Sequence, residues 1–214
     1  MPEPGRPEAA VPIRAVVFDV GGVFLDWDPR HLYRKLFADP CAMEWFLHHI
    51  ATAAWHTEHD RGVSIRDSCA ALARRHPAFM AEVMAWVDRG EEMIGGEVPN
   101  MAGLLMALDT NGIPCYALTN MERETYPGRR ERFGFFGHFV GVMVSGQEGL
   151  IKPDPALYQR LAARFGLEPA RTLFIDDSPA NVEAASRLGF ATHRFDGAER
   201  LRARLMTAHL LPSS

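Results

Sequence analysis

Val16-Val17-Phe18-Asp19-Val20-Gly21-Gly22-Val23 sets β-branched and aromatic residues directly against one acid and two glycines. An apolar run that closes on a lone carboxylate and then Gly-Gly reads as a buried strand entering a tight turn. Asp19 then stands at the carboxyl end of that strand, where open α/β sheets place their ligands. Glycines just beyond it let backbone N–H groups approach an anion with no Cβ between them. On its own the octet also fits a strand and an ordinary polar turn, so the rest of the chain decides.

Three further segments repeat the design. Pro114-Cys115-Tyr116-Ala117-Leu118 ends in Thr119-Asn120, and Arg171-Thr172-Leu173-Phe174-Ile175 ends in Asp176-Asp177-Ser178-Pro179. Between them Gly149-Leu150-Ile151 leads into Lys152-Pro153-Asp154-Pro155. Asp154 is placed to cap a helix that starts at Pro155, and Ser178 is a good N-cap ahead of Pro179. Strands are expected at 114–118, 139–145, 171–175 and 191–195, with helices at 101–110, 155–165 and 179–188. Alternation of this kind implies βαβ units and a parallel sheet.

From Arg30 to about Ile94 nothing reads as a strand. Ala42 to Trp55 carries apolar residues at helical spacing, Ser64 and Asp67 open a helix over Ile65–Arg75, and Pro77 starts another through Trp86. Gly95-Gly96 ends the block. The expected organisation is a tail over residues 1–12, an α/β core over 13–27 and 97–214, and an inserted all-helical unit over 28–96.

At 214 residues, 47% hydrophobic and 23% charged, the chain suits one core domain with a smaller insert. A net charge of −4 and the lack of a Lys/Arg stripe give no electrostatic footprint for nucleic acid. No apolar stretch is long enough to span a bilayer, and the Pro-rich start lacks the pattern of a signal peptide. Cys41, Cys69 and Cys115, odd in number and without paired spacing, suggest reduced thiols and a cytoplasmic protein. The expected assembly, which no motif here fixes, is a monomer or homodimer.

Asp19, Thr119, Lys152 and Asp176-Asp177, in this order and context, resemble the four motifs of the haloacid dehalogenase-like hydrolase superfamily. The resemblance runs from about Ala15 to Phe195 and is most specific over Gly149–Tyr158 and Leu173–Ala185. It implies a Rossmann-like three-layer core with a small helical cap of type 1, as in the phosphatase-like branch. It further implies Asp19 as nucleophile, forming an aspartyl phosphate. Thr119 and Asn120, with Gly21 and Gly22, would bind phosphate. Lys152 would neutralise both Asp19 and the transferring phosphoryl group.

Two more carboxylates facing Asp19 would repel unless a cation joined them, and Mg²⁺ is the hard, oxygen-seeking cation expected. By resemblance Asp177 ligates it with Asp19 and the Gly21 carbonyl. Asp176 acts directly or through water, and Ser178 and Asn181 support the loop. The implied reaction is Mg²⁺-dependent hydrolysis of a small phosphorylated metabolite, a phosphate monoester.

One departure stands out. Most phosphatases of the superfamily carry a second aspartate two residues after the nucleophile, as general acid and base; here that residue is Gly21. Asp26 and Asp28 are nearby, though solvated turn acids are the simpler reading. Gly21 is also a candidate for positive φ. The alternatives are a 2-haloacid dehalogenase, which needs no metal, and a weak phosphate-binding or regulatory module. His48, His49, His56 and His59 fall in the helical insert with no carboxylate set to complete a metal site. Trp27, Trp45, Trp55 and Trp86 read as core of that insert.

Overall fold

A computed structural model of the protein describes residues 11–212. In chain order it runs β1 (Ala15–Phe18), β2 (Leu25–Trp27), α1 (Arg30–Tyr33), α2 (Pro40–His49), α3 (Ala53–Asp60), α4 (Ile65–Arg75), α5 (Met80–Asp88) and β3 (Ile94–Glu97). It continues with α6 (Met101–Thr110), β4 (Cys115–Thr119), α7 (Tyr126–Arg132), β5 (Gly141–Val144), α8 (Ser145–Glu148) and α9 (Pro155–Phe165). The last elements are β6 (Thr172–Asp176), α10 (Pro179–Arg187), β7 (Ala191–Arg194) and α11 (Ala198–Thr207).

Five strands form one parallel sheet in the order β5-β4-β1-β6-β7. Val17 pairs with Tyr116 on one side and Phe174 on the other, so the nucleophile strand is central. Successive side chains of a strand point to opposite faces, and both faces here are covered. Val16, Phe18, Ala117, Leu173 and Ile175 pack with Leu104, Leu105 and Leu108 of α6 and Leu201 and Leu205 of α11. Val17, Tyr116, Leu118 and Phe174 pack with Leu157, Tyr158 and Leu161 of α9 and Ala185 of α10. Two-sided burial is why these strands read as unbroken apolar runs rather than alternating ones.

The helical insert has its own core, in which Leu32, Tyr33, Phe46, Leu72, Val83 and Trp86 come together. The Tyr33 hydroxyl donates to the Glu82 carbonyl at 3.0 Å, tying α1 to α5. Two expectations are corrected here. The apolar pattern over 42–55 is not one helix. It breaks at Ile50, whose N–H reaches Phe46 before ψ swings to −71°, and Thr52 starts α3 by accepting from the Trp55 N–H at 3.2 Å. Nor is the exit from the core free of strand. β2 and β3 pair antiparallel as a two-stranded ribbon, β2 ending at the first expected boundary and β3 crossing the second. Gly95, expected at the end of the helical block, lies within β3, where a Cβ would come 2.5 Å from an Asp26 carboxylate oxygen.

The strand expected over 139–145 is shorter, since Phe139 closes a 3₁₀ turn and Ser145 begins α8. The expected tail, residues 1–12, falls almost wholly outside the described residues. Among the described residues no helix is long and apolar enough to cross a membrane. The three cysteines are free thiols, Cys41 exposed and the other two buried.

Candidate active site

β1, β4 and β6 end side by side, and each delivers one group to a common point. The Asp19 N–H extends the sheet ladder to the Ile175 carbonyl at 2.8 Å, which fixes its backbone. One Asp19 carboxylate oxygen then accepts from the Val20 N–H at 2.7 Å and from Lys152 Nζ at 2.8 Å. The same ammonium donates to Asp176 Oδ2 at 2.7 Å. Lys152 and Asp176 are buried, Asp19 nearly so.

Lys152 reaches this position because Asn120 clamps its backbone from both sides. Asn120 Oδ1 accepts from the Lys152 N–H at 2.8 Å, and its Nδ2 donates to the Lys152 carbonyl at 3.1 Å. The Asn120 side-chain amide is therefore committed to placing the lysine, while Asn120 itself, expected on phosphate, lines the cavity. Asp176 is likewise saturated: it accepts from Lys152, from Asn181 Nδ2 on both oxygens at 3.0 and 3.1 Å, and from the Ser178 N–H at 2.9 Å. Ser178 contributes that N–H, while its hydroxyl caps nothing. Thr119 is buried, and its hydroxyl has only a 3.5 Å contact with the Asn120 carbonyl, the outer limit of a hydrogen bond.

The two glycines divide their work. Gly22 has φ of +72° and faces Asp177: a Cβ would come within 2.4 Å of Asp177 Oδ2. Gly21 has an ordinary φ, correcting the expectation of a left-handed residue there, and a Cβ on it would meet nothing within 4 Å. Asp26 pairs with His31 at 3.0 Å, and Asp28 accepts from the Arg30 N–H at 2.8 Å. Neither lines the central cavity.

Asp19, Asp176 and Asp177 each offer an oxygen within 4.8 Å of the others, against one ammonium. Burial pushes the Asp19 carboxyl up to about 8; Lys152 opposes that rise, and Asp176 and Asp177 add to it. Burial and Asp176 also raise Asp177. Burial would depress Lys152, but Asp19 and Asp176 hold its proton more firmly than usual. Lys152 thus serves Asp19 and Asp176 and leaves Asp177 uncompensated. The donor set is all oxygen, which suits a hard divalent cation.

A cavity of about 270 Å³ opens above these groups, lined by Gly21, Thr119 and Asp177 below and by Trp27, His56 and Glu122 above. This is near the lower end of ligand pockets, ~300–1,000 Å³, and suits a small substrate. The upper wall was missed in the sequence. His56 and Asp60, one turn apart on α3, and Glu122, just after β4, bring three ligand-capable atoms within 4.8 Å. His56 Nε2 is 3.9 Å from Asp60 and 3.6 Å from Glu122. Glu122 also pairs with buried Arg129 at 3.2 Å, and Arg129 with Glu91 at 3.0 Å.

The loop carrying Glu122 is pinned where Ser145 Oγ accepts from the Met121 N–H at 3.0 Å. The His56 ring lies flat on Trp27, centroids 4.8 Å apart and planes at 19°. Trp27 is therefore cavity wall while it also packs against the core of the helical insert with Trp55 and Trp86, and Trp45 is half exposed. The i, i+4 spacing of His56 and Asp60 was the available signal. Their partner Glu122 lies 62 positions beyond Asp60, and only the fold brings it near.

The sequence model described as haloacid dehalogenase-like hydrolase matches residues 13–189. The sesquiterpene phosphatase astK of Aspergillus oryzae is 26% identical over 82% of this chain and 86% of that protein. Several other curated relatives, phosphatases among them, match over less than half of their own length. A HAD family enzyme of Bacteroides thetaiotaomicron, solved as a magnesium complex, superposes with a TM-score of 0.72 at 17% identity. It covers 91% of this chain and 99% of its own. L-2-haloacid dehalogenase of Xanthobacter autotrophicus superposes at 0.60 with 20% identity, over 94% and 85% of the two chains.

Proposed function

Because the chain belongs to the haloacid dehalogenase-like hydrolases, we propose that it hydrolyses a small phosphate monoester with Mg²⁺, through an aspartyl phosphate on Asp19. The observation that carries this reading is the charge arrangement at the strand ends. Three carboxylates gather where one lysine pairs with only two of them, Asp19 and Asp176, and the one at the cavity, Asp177, has no cationic partner among the described residues. Displacing halide from carbon needs no such cluster; a phosphoryl group with its counter-cation does. Asp19, Asp177 and the Gly21 carbonyl would hold Mg²⁺, which when bound draws off charge from the phosphoryl oxygens.

The chain's own groups do the rest. Asp19 attacks phosphorus, held in place by the Val20 N–H and Lys152. Phosphoryl transfer is governed by positioning and charge neutralisation. The Lys152 ammonium supplies neutralisation from behind the nucleophile, while the Thr119 hydroxyl, held only by its 3.5 Å contact with the Asn120 carbonyl, donates to a phosphoryl oxygen. Asp176 and Asn181 hold the ammonium in line, and Asn120 fixes the loop that carries it. The cap covers the cavity and keeps bulk water from the transfer.

The test is phosphate release from a panel of sugar phosphates, nucleotides, cofactor phosphates and, given the Aspergillus relative, a terpenoid phosphate, in Mg²⁺ and in EDTA. Release that requires Mg²⁺ supports the reading. Halide release from 2-chloropropionate that ignores the chelator would replace it with the dehalogenase reaction.

A further inference from the structure

The leaving alcohol of an unactivated phosphate ester departs as a strong base unless it is given a proton. Among the described residues of the cavity wall, few can provide one. Gly21, where a carboxyl would have open space, has no side chain. Asp19 and Asp177 would hold the proposed cation, and Lys152 is held between two carboxylates. The Arg129 guanidinium is engaged by Glu122 and Glu91. Glu122, with His56 and Arg129 overriding the upward pull of burial, stays ionised. What is left is the His56–Asp60 pair on α3, in the same cavity as Gly21 and Thr119.

We propose that His56 is the acid–base residue of this site, its ring aligned by Trp27 and by the carboxylates of Asp60 and Glu122. This rests on the phosphatase reading above. In the first half-reaction an Asp19 oxygen bonds to phosphorus as the bond from phosphorus to the ester oxygen breaks. That oxygen keeps the electron pair and takes the proton of His56, leaving a neutral imidazole. In the second, the imidazole removes a proton from the water whose oxygen attacks phosphorus. The bond from phosphorus to Asp19 breaks, inorganic phosphate leaves, and both Asp19 and the imidazolium are restored.

The surroundings suit a proton-bearing ring. Burial alone would depress the His56 imidazole, but Glu122 and Asp60 together raise it above its ordinary value against a smaller opposing field from Arg129. His59, the nearest other imidazole at 6.0 Å, is itself held neutral, pushed down by burial to about 4. The Trp27 face beneath His56 favours the cationic form as well. Because α3 belongs to the cap and Gly21 to the core, the proton would be delivered only when the cap is docked.

The experiment compares an alkyl phosphate with p-nitrophenyl phosphate in the full-length wild type, His56→Gln and Asp60→Asn. General acid catalysis is worth roughly 10²–10⁴-fold, so His56→Gln should lose about that much on the alkyl ester and under about tenfold on the aryl ester, whose leaving group needs no proton. Adding Gly21→Asp to His56→Gln should restore much of the alkyl rate. Asp60→Asn should move the alkaline limb of the alkyl pH profile to lower pH, since it removes a charge that holds the proton on His56. In metal-free protein the His56 ring, assigned by NMR from its absence in His56→Gln, should titrate above about 6.5. Equal losses on both esters, an unshifted limb, or titration below that value would overturn the assignment. A wild type that releases phosphate from no ester would instead overturn the phosphatase reading.

Discussion

Substituting alanine at each of two adjacent glycines separates geometry from composition. At Gly22 the backbone is left-handed, φ +72°, and the new Cβ would sit 2.4 Å from Asp177 Oδ2. A left-handed non-glycine residue costs about 1–2 kcal/mol. The new methyl pushes aside the exposed Asp177 carboxylate, the far end of a flexible side chain, at little further cost. The total, about 1–2 kcal/mol, lowers Tm by ~2–8 °C at the ~2–4 °C per kcal/mol expected for a chain of this size. At Gly21 φ is ordinary and the space is open, so alanine should be neutral or stabilise by up to about 1 kcal/mol through the unfolded chain. Thermal melts of both variants in EDTA measure the difference. A second melt in Mg²⁺ should raise Tm for Gly21→Ala but not for Gly22→Ala, whose displaced Asp177 no longer meets the cation. Equal melting of the two variants would refute the steric assignment, as would an intact Mg²⁺ shift in Gly22→Ala.

Lys152→Met leaves Asp19 and Asp176 buried without their ammonium, so urea unfolding of the metal-free protein should show a loss of about 3–5 kcal/mol along with lost turnover. In EDTA, wild-type stability should fall as pH rises from about 4 to about 8. The raised Asp19 carboxyl, and Asp60, pushed to about 7 chiefly by burial, bind protons more tightly folded than unfolded, and that contribution disappears as each ionises. Asp19→Asn should flatten this dependence and unfold no more easily than wild type at pH 8; a steeper slope in the variant would contradict it. Gly62, with φ of +96°, approaches the Gly146 carbonyl so closely that a Cβ would lie 2.7 Å from it. Gly62→Ala should therefore pry the cap from the core, seen as a raised KM for any ester with the metal site intact.

The core was legible because its strands are buried on both faces. Runs such as Val16–Phe18 and Leu173–Ile175 announce themselves without alternation, and their ends carry the acids. The strand-end positions of Asp19, Thr119, Asp176 and Asp177 are local in sequence and could be read there, while the roles proposed for them came from the family resemblance. Groups whose role depends on packing between distant segments could not. Nothing near Asn120 tells that its amide clamps Lys152, 32 positions away. The helix break at Ile50–Thr52 was hidden by an apolar spacing that continues through it, and with it went the placement of His56 and Asp60. The β2–β3 ribbon escaped notice because Gly95-Gly96 lacks β propensity. Tight quarters beside Asp26 and His31, rather than propensity, decide that segment.

The central claim is a covalent phosphoryl group on Asp19. Wild-type protein mixed with a radiolabelled phosphate ester and Mg²⁺, quenched in acid within one turnover and digested at low pH, should carry label on the peptide containing Val16–Val23. The label should be released by hydroxylamine, be absent when EDTA replaces Mg²⁺, and be absent in Asp19→Asn. Turnover without label on that peptide, or label that persists in Asp19→Asn, would contradict the account.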